Sequence, residues 1–265
     1  MRPETQAAVA PPRWALSPWA RAIRRAAWWW EITRHVEHFC TPLTIQGAEH
    51  LLSPPKPLIV IPNHASHFDT GVVYHAIPPP LRWRMAIAAA ADRFYRVWWK
   101  GARFSLSLNA FPIERGGGRR ALDYAGELLD KGWSLIVYPE GHRSRNGEVQ
   151  PFHHGVSILA LEHRVPVVPM YVYGTRAILP PGVQRAVHPA PVTVVIGEPV
   201  LLEPGLSVPE GTAVLEAAMR TIAEPFVPKE LPVEAAEPVG GARSCARRRM
   251  TAAVTATTRT VSKLR

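Results

Sequence analysis

Cysteine is scarce: Cys40 and Cys245 are the only two in 265 residues, and they stand in unrelated contexts. That argues against a disulfide framework and suits a reducing cytoplasm. Metal-ligand spacing is missing too. The adjacent His153 and His154 have no acidic or cysteine partner nearby, so neither a metal nor a cofactor is expected. Long apolar runs are absent, and no window approaches the roughly 18 uncharged residues that a membrane-spanning helix needs. The N-terminus, with Arg2 and Glu4, lacks the apolar core and cleavage site of a signal peptide. There is no internal repeat and no Gly-x-Ser-x-Gly nucleophile elbow. A soluble or peripheral protein is expected.

What is present is enough apolar material for one full core, 47% of the chain. The net charge of +10 resides in the two ends. Residues 1–40 hold six Arg and three Glu, residues 241–265 hold seven Lys and Arg and no acid, and 41–240 balance 18 basic with 18 acidic residues. A neutral middle argues against a nucleic-acid partner and makes anionic membrane lipid the better match for the basic ends.

Ser17-Pro18 signals a helix start, and the helix is expected to run to about Phe39. Along it Trp19, Ile23, Ala26 and Trp30 share a stripe, with Arg21, Arg24 and Arg25 on the opposite side. Trp28 and Trp29 leave that stripe. Three adjacent tryptophans around one helix suit a membrane interface, and docking on the domain is compatible with it. The expected organisation is an amphipathic, Trp- and Arg-rich interfacial segment (1–40), one domain (41–227) and a disordered basic tail (228–265).

Apolar runs alternating with helical stretches predict an α/β fold: a single domain with a mostly parallel central sheet flanked by helices, preceded by the N-terminal amphipathic helix. Strands are expected at 58–61, 83–91, 135–137 and 191–196, and helices at 92–105, 119–131, 153–164 and 209–226. The run Val165–Met170 is β-rich, but Pro166 and Pro169 predict an edge or a site-lining turn.

The strand at 58–61 runs into a polar turn with Asn63, His64 and Ser66. A helix follows, its start signalled by the capping-box spacing of Ser66 and Asp69. With His64 in the turn and Asp69 in the first helical turn, the carboxylate can reach back to the imidazole. That would be a general base with its orienting acid at the mouth of a parallel sheet; a capping acid beside a polar turn residue is the plain alternative. A second strand-to-turn stretch, Tyr138–Ser144, places Glu140 to accept hydrogen bonds from substrate hydroxyls or to hold an arginine. Gly141 permits close backbone approach, and Arg143 is a phosphate candidate. Between the two, Arg115 precedes Gly116–Gly118 and a helix start, a second place for a phosphate.

Residues 63–69 match the motif Asn-His-x-Ser-x-x-Asp, and residues 138–144 match Phe-Pro-Glu-Gly-Thr-Arg-Ser with Tyr and His replacing Phe and Thr. In this order they resemble the glycerolipid acyltransferase family, whose best-known members acylate 1-acyl-glycerol-3-phosphate. Residues around Arg115 and 165–170 resemble its second and fourth motifs. The resemblance implies acyl transfer from acyl-CoA or acyl carrier protein to lysophosphatidic acid, giving phosphatidic acid. His64 and Asp69 would be catalytic; Arg115, Glu140, Gly141 and Arg143 would bind substrate. Backbone N–H groups near the helix start would stabilise the oxyanion. The lysine that the family often carries after its second strand is missing, with Arg93 or Lys100 as substitutes. Another lyso-lipid acceptor, or a non-catalytic lipid-binding role, are the alternatives. The expected location is cytoplasmic, peripheral on the inner face of the membrane.

Overall fold

The structure, a computed structural model, describes residues 10–114, 119–180, 182–183 and 185–226. The tail expected to be disordered, 228–265, lies outside the described residues. Among these, the strands are β1 (Cys40–Gln46), β2 (Ile59–Pro62), β3 (Met85–Ala90), β4 (Ala110–Ile113), β5 (Ser134–Ile136), β6 (Val167–Tyr173) and β7 (Ala190–Ile196). They form one sheet in the order β1-β7-β6-β2-β5-β3-β4. From β6 to β4 every pairing is parallel; β7 runs antiparallel to β6, and β1 runs parallel to β7.

The helices are α1 (Pro18–Trp28), α2 (Arg34–Phe39), α3 (Asp69–Ala76), α4 (Pro79–Arg82), α5 (Ala91–Phe94), α6 (Trp98–Leu108), α7 (Asp123–Asp130), α8 (Gly155–His163), α9 (Thr175–Ile178) and α10 (Val208–Ala223). They cover both faces, so the inner strands read as continuous apolar runs. Ile59, Ile61, Leu135 and Val167 pack under α7, α8 and α10. Val60, Ile136 and Val168 point to the other face, with α3 and the end of α6.

The proline-bearing run 165–170 is no edge. β6 lies inside the sheet between β2 and β7. Pro169 pairs with Ile61 on one side, while the β7 pairing begins only at Met170. The N–H that Pro169 lacks therefore falls where β7 has already ended, and its carbonyl accepts the Gly197 N–H at 2.9 Å. A side chain at 197 would meet the Pro169 ring at 2.8 Å, so glycine lets the chain turn against it.

The N-terminal helix starts at Ser17, whose hydroxyl accepts the Ala20 N–H at 3.4 Å. It continues through a π-helical turn at Trp29–Thr33 into α2. Its arginine side faces the domain. Buried Arg24 donates to the carbonyls of Ala15 (3.1 Å), Ser105 (3.0 Å) and Leu106 (2.8 Å). Arg21 lies over Trp133 and Arg25 over Trp83, and Trp28 is buried against Tyr74 and Trp83. The apolar stripe points outward: Trp19 is 53%, Ile23 45% and Trp30 62% exposed. An ordinary surface helix does the opposite.

Candidate active site

β2 and β5 are neighbours whose carboxyl ends lie side by side. The chain leaves β2 for α3 on one face and β5 for α8 on the other. A crevice opens between such diverging connections, where open α/β sheets bind ligands. Asn63 is buried at the end of β2. Its side chain donates to the Val172 carbonyl (3.2 Å) and accepts the Val172 N–H (2.7 Å), carrying the β2–β6 ladder past Pro62.

The next residue is His64, and its Nδ1 lies 3.0 Å from Asp69 Oδ2. Asp69 is fully buried at the first position of α3. The same oxygen accepts the N–H groups of Ala65 and Ser66, each at 2.8 Å, and Oδ1 accepts the Thr175 hydroxyl. The acceptor at Nδ1 assigns the proton to that nitrogen and leaves Nε2 with its lone pair, the tautomer a general base requires. The Tyr138 ring packs 4.2 Å from the imidazole. The capping box is only half formed: Asp69 reaches back to Ser66, but the Ser66 hydroxyl accepts from Phe68 and donates to Leu179.

Four backbone N–H groups ahead of α3 are taken up within the turn. The His64 N–H goes to Glu140, those of Ala65 and Ser66 to Asp69, and that of Phe68 to Ser66. Each satisfies a buried oxygen, so these four hold the turn, while His67, Thr70 and Gly71 line the cavity.

Glu140, expected to meet substrate, is turned away from it. Its carboxyl is fully buried and accepts the His64 N–H (2.9 Å) and the Gln150 N–H (3.3 Å), so it ties two loops together behind the site. Burial raises its pKa to about 7, against the lowering effect of those two bonds. Gly141, with φ of 67°, and Arg143 do line the crevice. Burial and the neighbouring Arg93 hold the Arg143 guanidinium below its ordinary pKa. Arg115 lies outside the described residues.

Two groups that sequence reasoning did not place, His67 and Thr175, complete the arrangement. His67 accepts a hydrogen bond from Arg93. Burial, and then Arg143 and Arg93, lower its pKa to about 4, so it is neutral at physiological pH and free to accept. Of the two lysine substitutes, Arg93 lines the crevice and Lys100 does not. Thr175 has no local signal at all, being 106 residues from the carboxylate it holds.

The cavity behind this mouth measures about 1220 Å³ and runs from His64, Arg93 and Arg143 to apolar walls that include Phe104, Leu108 and Leu159. Small-ligand pockets are roughly 300–1,000 Å³, so there is room for a substrate with a long chain. The small side chains of Ala88, Ala89 and Ala90 on β3 help leave that volume open. Among the described residues no group of three His, Cys, Asp or Glu is placed to hold a metal.

The chain is 34% identical over 160 residues to a 1-acyl-sn-glycerol-3-phosphate acyltransferase of Limnanthes douglasii, covering 58% of this chain and 52% of that one. It is 32% identical over 192 residues to the enzyme of that name from Cocos nucifera, covering 70% and 59%. The crystal structure of the 1-acyl-sn-glycerophosphate (LPA) acyltransferase PlsC from Thermotoga maritima superposes with a TM-score of 0.57 at 25% identity, covering 79% of each chain. The Acyltransferase family model matches residues 42–173. The chain belongs to the glycerolipid acyltransferase family. It spans about half the length of the curated relatives it matches. The match covers the His64–Asp69 turn, the 138–144 turn and β6, while α1 and its tryptophans precede it. In this chain the arginine side of α1 nonetheless packs on the matched domain, through Arg24 on α6.

Proposed function

We propose that this chain transfers a fatty acyl group from acyl-CoA or acyl carrier protein to the free hydroxyl of 1-acyl-glycerol-3-phosphate, giving phosphatidic acid. The observation that carries the reading is the His64–Asp69 pair at the polar end of a long, otherwise apolar cavity. His64 Nε2 takes the proton of the acceptor hydroxyl as its oxygen bonds to the thioester carbonyl carbon. Collapse of the tetrahedral adduct breaks the C–S bond, and the proton passes from His64 to the departing thiolate. Asp69 holds the imidazole in its tautomer and offsets the charge it gains. Arg93, kept in place by His67, and Arg143 would hold the acceptor phosphate, with Arg115 as a third cation; this fixes which hydroxyl meets the base. The outward tryptophans of α1 support work as a peripheral protein on an anionic membrane surface, on its cytoplasmic side.

The test is thiol release from an acyl-CoA with and without 1-acyl-glycerol-3-phosphate, comparing the parent with His64→Ala. Acceptor-dependent release that falls at least about a hundredfold in the variant is expected for a lost general base. Release that ignores the acceptor would instead indicate a thioesterase.

A further inference from the structure

A second groove of about 470 Å³ lies between α6 and the π-helical turn at Trp29–Thr33. It shares Glu31, Ile32, Arg93, Phe94, Phe104 and Leu108 with the main cavity, so the one continues into the other. Its remaining walls, Trp99, Lys100, Arg103 and Ser107, all belong to α6. The elements on both sides carry exposed aromatics, of which Trp99 lines the groove itself. Trp29 and Trp30 flank Glu31 on one side, half or more exposed, and on the other Trp98 is 81% and Trp99 52% exposed. Cations accompany these rings: Arg34 lies 5.8 Å from the Trp30 ring and Lys100 5.4 Å from that of Trp99.

One contact closes the groove. The Glu31 carboxylate accepts the Ser107 hydroxyl and lies 3.6 Å from the Arg103 guanidinium. A carboxylate there takes the place that a phosphate oxygen would take on Arg103. Exposed at 72% and 34%, the pair holds weakly and can exchange partners.

We infer that this groove is a lateral portal through which a lipid with a phosphate headgroup passes between a membrane surface and the cavity. The exposed aromatics seat α6 as well as α1 in the interface. The headgroup follows Lys100, Arg103 and then Arg93, while the chain slides along Ile32, Phe94 and Phe104. Glu31 is the latch that the arriving phosphate displaces. The inference rests on the proposed function only for what happens once the lipid is inside.

The experiment measures how fast a 1-acyl-glycerol-3-phosphate with an environment-sensitive dye on its chain moves from phosphatidylcholine vesicles to the full chain. A monoacylglycerol bearing the same dye serves as the phosphate-free probe. The double variant Lys100→Glu, Arg103→Glu should slow the phosphate probe about tenfold relative to the phosphate-free one, and Lys100→Arg, Arg103→Lys should restore it. Glu31→Gln should speed the phosphate probe several-fold, a gain that a damaged fold cannot produce. Equal slowing of both probes, no slowing of either, or a slower Glu31→Gln would overturn the portal. Acyl transfer from acyl-CoA is followed in the same samples. Charge-dependent uptake without any turnover in the parent would sink the acyltransferase reading and leave the portal standing.

Discussion

His67 lines the crevice and Glu140 lies behind it, and burial acts on them in opposite directions. Glu140 is raised from 4.5 to about 7, so between those values the folded protein keeps a proton that the unfolded chain has lost. Stability therefore falls as pH rises through that window. His67 is lowered from 6.5 to about 4, so there the unfolded chain binds the proton and stability rises with pH. From 4.5 to 6.5 the two slopes cancel. Glu140→Gln should expose the His67 slope, with Tm climbing to pH 6.5 and then levelling. His67→Gln should expose the decline due to Glu140, on the order of 3 kcal/mol by pH 8. Thermal melts from pH 4 to 8 check both, and parallel profiles for all three proteins would exclude the linkage. At this scale the His64–Asp69 contact was legible, because both ends lie within five residues of one strand-to-helix turn. Glu140 was misplaced because a motif names a residue and not the direction in which it points. His67 and Thr175 gain their roles only from contacts across the fold.

Among the elements, α1 is the one whose periodicity was readable and whose orientation was not. A stripe of Trp and Ile opposite a stripe of Arg defines two faces, but it does not say which one docks. Three backbone carbonyls decide it. Ser105 and Leu106 lie in the last turn of α6, where carbonyls lack helical partners, and with Ala15 they are met by one forked cation. Arg24→Met leaves these acceptors bare and should cost about 2–3 kcal/mol in urea unfolding. Arg24→Lys should recover less than half of that, because an ammonium cannot span the same acceptors. Full recovery by lysine would mean that charge alone, and not the fork, seats α1. The expected helix at 92–105 divides for a related reason: Tyr95 folds over Gly101 and bonds to Ser105, space that any side chain at 101 would occupy.

For the molecule as a whole, the α/β class followed from apolar runs separated by helical stretches, since a sheet covered on both faces has little room for polar strand residues. The reversal of β7 and β1 did not, because strand direction leaves no mark on periodicity. Thr175 reaches Asp69 from the parallel part of the sheet, where β6 ends beside β2 and turns into α9.

The outward set of the chain's nine tryptophans also divides its ultraviolet signals. Trp28 and Trp133 are buried and report on the fold, while Trp19, Trp29, Trp30, Trp98 and Trp99 are each half exposed or more and dominate the red side of the emission. Adding vesicles should blue-shift that emission and leave the near-ultraviolet dichroism of the buried pair unchanged. Denaturant should move both. Emission alone therefore confuses a protein that has found its surface with one that has changed its fold, and only the two spectra together tell them apart.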